Sequence, residues 1–191
     1  MHEANFNYKN NSLIYFEDQG GNKSIVLLHG YSFNSDVWEQ IQLPKFLKDL
    51  GYSVYALDVP GFPKSRNKIS LSEEEELEVI SALVQKIGKK PALLGASASG
   101  YLALKYAERN QEKIEKLIAV GPVELGLIKL ELISIPVLGI WGSKDTVANP
   151  EKGLQEFKKL KNGKAEIISE ARHACYLDKP DQFKQLLKGF L

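Results

Sequence analysis

The stretch on which the fold turns is Pro91-Ala92-Leu93-Leu94-Gly95-Ala96-Ser97-Ala98-Ser99-Gly100-Tyr101-Leu102-Ala103-Leu104-Lys105-Tyr106-Ala107. Pro91 to Leu94 reads as a short buried strand, and Tyr101 to Ala107 as a helix of good helix formers. Between them lie only small residues. A serine pinned there has the form of a nucleophile elbow, in which the chain reverses within a couple of residues and strained backbone lifts the hydroxyl clear of both elements. Side chains two before and two after the serine must be small, or they collide across the turn. Around Ser97 those positions are Gly95 and Ser99. Around Ser99 they are Ser97 and Tyr101, and a tyrosine is hard to fit. Ser97 is therefore the candidate nucleophile. The pattern departs from G-x-S-x-G at its last position, and tight packing alone would also explain a run of small residues, so the flanking chain has to decide.

Outward from the elbow, strands alternate with helices. Ile25-Val26-Leu27-Leu28 has no polar alternation, as expected of a strand buried on both faces. Tyr52 to Asp58, Ile114 to Val120, Pro136 to Trp141 and Ala165 to Ser169 read as further strands. Asn5 to Tyr8 and Leu13 to Phe16 flank the turn-like Lys9 to Ser12 and suggest a hairpin. An amphipathic stretch starts at Ser35 or Asp36, either of which could cap it, and is kinked or divided by Pro44. Ser72 opens a helix with Glu75 at capping-box spacing, and the acidic run Glu73 to Glu76 favours the positive end of the helix dipole, so it reads as a solvated helix start and not a metal site. Only fifteen residues, Gly121 to Ile135, separate two strands. That allows one short crossover helix, Val123 to Leu132, and no lid domain. A helix follows Asn149-Pro150, and another spans Pro180 to Phe190. The expectation is a single α/β domain over residues 1–191, with a mainly parallel sheet and right-handed connections.

Composition excludes several classes. The formal net charge is +1, with 43% hydrophobic and 26% charged residues, which recommends neither nucleic acid nor an anionic membrane as partner. One cysteine, Cys175, rules out an internal disulfide and suits a reducing compartment. Neither a secretory segment nor a run of roughly twenty apolar residues is present, so a cytoplasmic protein is expected. No metal site or cofactor is expected, and the oligomeric state is left open.

In a parallel sheet, chemistry gathers at the carboxyl ends of the strands. A serine hydroxyl needs a base to accept its proton and a carboxylate to orient that base. His2 lies in the terminus, His29 ends a strand where it shapes a turn, and His173 follows the last strand in a loop free to reach across. Asp145 follows the preceding strand. Asp178 is the alternative acid, and Asp58 a turn-stabilising one. The order Ser97, Asp145, His173 is the order Ser, acid, His of the nucleophile-elbow enzymes. Backbone N–H groups of Ala98, at the helix start, and of Tyr31, after His29-Gly30, are the candidate oxyanion donors. Cys175 lies in the loop of the base with no elbow and does not fit a nucleophile.

Taken together, Leu27-Leu28-His29-Gly30, Leu57-Asp58-Val59-Pro60-Gly61-Phe62, the elbow, Trp141-Gly142-Ser143-Lys144-Asp145 and His173 resemble the α/β-hydrolase superfamily over nearly the whole chain. Ser97-Ala98-Ser99-Gly100, His29 to Trp38 and His173 to Pro180 narrow the likeness to the capless abhydrolase-domain-fourteen subgroup. That resemblance implies Ser97 as nucleophile, Asp145 as acid and His173 as base. It also implies esterase activity on small acyl esters, with transfer or removal of acetyl groups on larger partners as a further possibility. Without a lid, specificity would come from Tyr31, Phe33, Phe62 and Tyr176 and favour a small-molecule substrate with a short acyl chain. Thioesterase or cofactor-free haloperoxidase chemistry on the same triad, or a binding protein that kept the fold, are the competing readings.

Overall fold

The computed structural model describes residues 1–191. Eight strands form one sheet in the order β1-β2-β4-β3-β5-β6-β7-β8. β1 (His2–Tyr8) and β2 (Asn11–Asp18) make an antiparallel hairpin, and β2 runs antiparallel to β4 (Tyr52–Leu57). β3 (Lys23–Leu28), β4, β5 (Ala92–Ala96), β6 (Lys116–Val120), β7 (Val137–Gly142) and β8 (Gly163–Ile168) are parallel. The hairpin is longer than the apolar runs suggest: His2 is paired with Glu17, and the turn shortens to Lys9-Asn10, with Lys9 at φ 52°.

The sheet is covered on both faces, which is why its central strands lack polar alternation. On one face Val26, Leu93, Leu117 and Trp141 pack beneath α3 (Glu73–Ile87), α4 (Ala98–Asn110) and α5 (Pro150–Phe157). On the other, Ile25, Leu27, Leu94 and Ile140 pack beneath α1 (Asp36–Gln40), α2 (Leu43–Asp49), α6 (Cys175–Asp178) and α7 (Pro180–Phe190). Alternate residues of each strand thus serve opposite layers.

One local alternative is decided and two expectations are modified. Pro44 divides the stretch after Ser35 into α1 and α2, with Gln42 in the left-handed region (φ 52°) between them. Ser35 makes no side-chain cap for α1; it is buried, and its N–H donates to Asp58 (2.8 Å). The crossover helix expected over Val123 to Leu132 is replaced by two single 3₁₀ turns, Leu125–Leu127 and Leu130–Leu132. Glu124 sits at φ 53°, which right-handed helix cannot accommodate, and Gly126 weakens what would follow. Leu125, Ile128, Leu130 and Ile133 still reach the core, so the segment is anchored as a loop. No lid domain interrupts the connection. No helix is long and apolar enough to cross a membrane.

Candidate active site

The elbow between β5 and α4 is strained at Ser97. Ser97 lies between β5 and α4 at φ 55°, ψ −118°, a conformation that a side chain rarely adopts. Its N–H is tied to the Val120 carbonyl at 2.8 Å, which fixes the turn to the neighbouring strand. A Cβ on Gly95 would stand 2.1 Å from the Ser99 carbonyl oxygen, so that position has room for glycine alone. Ser99 is fully buried, and its hydroxyl donates to the His29 carbonyl at 2.6 Å. The residue that departs from the usual glycine therefore clamps α4 to the loop after β3.

The three side chains predicted from sequence meet at the carboxyl edge of the sheet. His173 Nδ1 donates to Asp145 Oδ2 at 2.8 Å, which leaves Nε2 to accept from the Ser97 hydroxyl, also at 2.8 Å. Asp145 follows β7, and its side chain is fully buried. Its other oxygen accepts from the backbone N–H groups of Val147 (2.8 Å) and Ala148 (2.9 Å), which aim the carboxylate at the imidazole. Gly121, at φ 51°, passes so close that a Cβ there would lie 3.1 Å from the imidazole. Asp178, the alternative acid, is instead held by Arg172 through the backbone N–H (2.8 Å), Nε (3.1 Å) and Nη2 (2.7 Å), which braces the His173 loop.

The supporting shell uses the other acid and histidine. Buried His29 accepts from the Val59 N–H at Nε2 (2.9 Å) and donates from Nδ1 to the Gly30 carbonyl (3.0 Å). Burial lowers its pKa, in keeping with a neutral ring that shapes a turn. Asp58 accepts from Ser35 N–H and from Arg66 N–H (2.9 Å) and Nη1 (3.1 Å). Burial would push its carboxyl up, but these bonds outweigh it and hold the pKa below the ordinary value. Arg66, which also binds Asp36 at 2.6 Å, carries no local sequence signal for this part.

Ser97 and His173 open into a cleft of about 60 Å³, lined also by Gly30, Tyr31, Phe33, Ala96, Val120 and Tyr176. That volume holds roughly four water-sized groups. Tyr31 stands at the rim, 55% exposed. Ala98 opens α4 beside Ser97, and Gly30 is close enough that a Cβ would touch the Ser97 Cβ at 3.6 Å, so the Ala98 and Tyr31 segments flank Ser97. Phe33 and Tyr176 line the cleft, whereas Phe62 does not. The Phe62 ring is buried against His29 (5.6 Å) and Tyr31 (5.2 Å), filling the space behind the rim. Val120 and Gly121 carry no local sequence signal, because nothing distinguishes them from other strand-end residues. Burial, with Asp145 nearby, pushes the Cys175 thiol up to about 12, far from a thiolate at neutral pH.

Residues 23–133 match the family model described as the alpha/beta hydrolase fold. The chain belongs to the α/β-hydrolase family. Among relatives, zebrafish Protein ABHD14A is 33% identical over 87% of this chain, which spans 63% of that protein's length. Rat ABHD14B is 26% identical over 100% of this chain and 96% of its own. A structure from Thermoplasma acidophilum, described as a predicted CIB-like hydrolase, superposes with a TM-score of 0.88 at 26% identity, covering 99% of this chain and 96% of that one. Within the α/β-hydrolases this chain thus resembles the ABHD14 proteins. Its own sheet has the form of that family's fold, with only β2 running against the rest.

Proposed function

We propose that this α/β-hydrolase is a serine carboxylesterase acting on short acyl groups, with Ser97 as nucleophile, His173 as base and Asp145 as orienting acid. The observation that carries the reading is the unbroken chain Ser97–His173–Asp145, with both contacts at 2.8 Å. As Ser97 Oγ attacks the acyl carbon, its proton passes to His173 Nε2, and Asp145 stabilises the imidazolium. The carbonyl oxygen becomes an oxyanion that accepts from the N–H groups of Tyr31 and Ala98, the latter at a helix start where negative charge is favoured. Collapse breaks the bond to the leaving oxygen, which takes the proton from Nε2. Water then gives a proton to His173 and attacks the acyl-enzyme; the bond to Ser97 Oγ breaks, Oγ takes that proton back from Nε2, and the acid is released with Ser97 and His173 restored. The open cleft needs no lid movement for entry.

Ser97→Ala is expected to lower kcat on short-chain nitrophenyl esters by at least about a thousandfold and to abolish fluorophosphonate labelling. Wild-type protein that neither turns over these esters nor labels sinks the reading.

A second substrate, an acylated lysine on a protein, is favoured by two observations. ABHD14B is provisionally named a protein-lysine deacylase. The mouth is also open here, with Tyr31 55% exposed and the His173 side chain 25% exposed. The same steps apply with an amine as leaving group, and turnover of an acetyl-lysine peptide beside an acetyl ester decides between them.

A further inference from the structure

Tyr176 is the polar side chain at the floor of the cleft. The residue is only 2% exposed, and its ring is walled by Trp38 (5.1 Å between centroids), Phe183 (5.9 Å) and Phe33 (6.4 Å). Its hydroxyl makes no hydrogen bond within the protein, yet unlike the indole N–H groups of Trp38 and Trp141 it is not sealed from solvent. The small exposed part of Tyr176 therefore includes the hydroxyl, and the opening that Tyr176 lines is the cleft beside Ser97. The other lining groups away from the triad are apolar side chains and backbone, apart from Tyr31 and Ser32 at the exposed rim. Burial pushes the phenol pKa up, so the group keeps its proton. A phenol that is buried but reachable is a poor floor for a hydrocarbon tail, because an apolar group laid against it shuts off its water without replacing the hydrogen bond.

Resting on the serine-hydrolase reading, we infer that the Tyr176 hydroxyl recognises an oxygen on the acyl chain, so that the acyl group is a short hydroxyacyl group. The phenol can donate to that oxygen or accept from it. The cleft's room for roughly four water-sized groups suits a chain of three or four carbons. Tyr176 is in this view a specificity determinant; the bond-breaking steps do not pass through it.

The test compares matched phenyl esters on wild type and Tyr176→Phe: 2-hydroxypropionyl against propionyl, and 3-hydroxybutyryl against butyryl. The quantity read is the ratio of kcat/KM within each pair, which cancels the intrinsic reactivity of the esters when the two proteins are compared. Loss of one hydrogen bond to a neutral group predicts that the hydroxyacyl preference falls by about tenfold in the variant for at least one pair. An unchanged ratio in both pairs overturns the inference, even if overall activity drops. A protein that hydrolyses none of the esters tells against the underlying activity instead. For that case, Ser97→Ala is titrated by NMR with 2-hydroxypropionamide and propionamide: tighter binding of the hydroxy compound, lost in Ser97→Ala/Tyr176→Phe, supports the site, and equal binding refutes it.

Discussion

Ser99 shows how much a single side chain can tie together. Its hydroxyl is buried and donates to the His29 carbonyl, so the helix behind Ser97 and the loop bearing the Tyr31 N–H are joined by one bond. Ser99→Ala is expected to lower stability by about 1–2 kcal/mol in urea unfolding, because it leaves a buried acceptor without that donor. An unchanged midpoint would mean that the clamp contributes nothing. At this scale the sequence was informative wherever chemistry restricts residue type. Gly95 and Ser97 were legible because a sharp turn between strand and helix tolerates few side chains, and His173 and Asp145 because each follows a strand of a parallel sheet. Phe62 was misplaced as a cleft residue. An aromatic ring near a strand end can point at the substrate or behind the loop, and the space beside buried His29, which decides this, is not written in the local sequence.

Among the elements, α3 was the most readable. The capping box between Ser72 and Glu75 forms in both directions, and Gly88 ends the helix at φ 69°. The acidic run was less uniform than its solvated reading suggested: Glu73 accepts from the Tyr101 hydroxyl at 2.7 Å, while partly buried Glu76 has its pKa raised to about 7 by burial and by neighbouring Glu73. A raised carboxyl pKa means that the folded chain holds a proton which the unfolded chain releases near the ordinary glutamate value of 4.5. Stability therefore falls as pH rises from that value towards about 7, and the cost is fully present above it. Glu76→Gln should raise the thermal midpoint at about pH 8 and not at about pH 4, with a gain of about 1–2 kcal/mol once solvent screening is allowed for. Equal shifts at both pH values would remove the titration argument. The segment 121–135 was the least readable element. Its apolar spacing suits a helix, but Glu124 in the left-handed region and the need to bury four separate side chains favour short turns, a tertiary demand that local propensity does not report.

The whole molecule is organised by where its strand order reverses. After β3 the chain steps to β4 on one side, then returns to place β5 on the other, so the cleft lies where the two directions part. Residues 1–88 supply the loop of Gly30, Tyr31 and Phe33, and residues 91–191 supply Ser97, Asp145 and His173. Between them lie only the exposed Lys89 and Lys90. This division was foreshadowed by the alternation of strands and helices, but the sheet order itself was not, because sequence spacing says which strands exist and not which ones are neighbours. A chain cut between Lys89 and Lys90 should give two pieces that are each inert and that, produced together, recover fluorophosphonate labelling of Ser97 through the β3–β5 pairing. Labelling of the second piece alone would show that the first is dispensable to the site. Should the pieces recombine in this way, the joint in the sheet would make the molecule a coincidence detector: joined to two other proteins, its halves would report by labelling of Ser97 that those proteins had met.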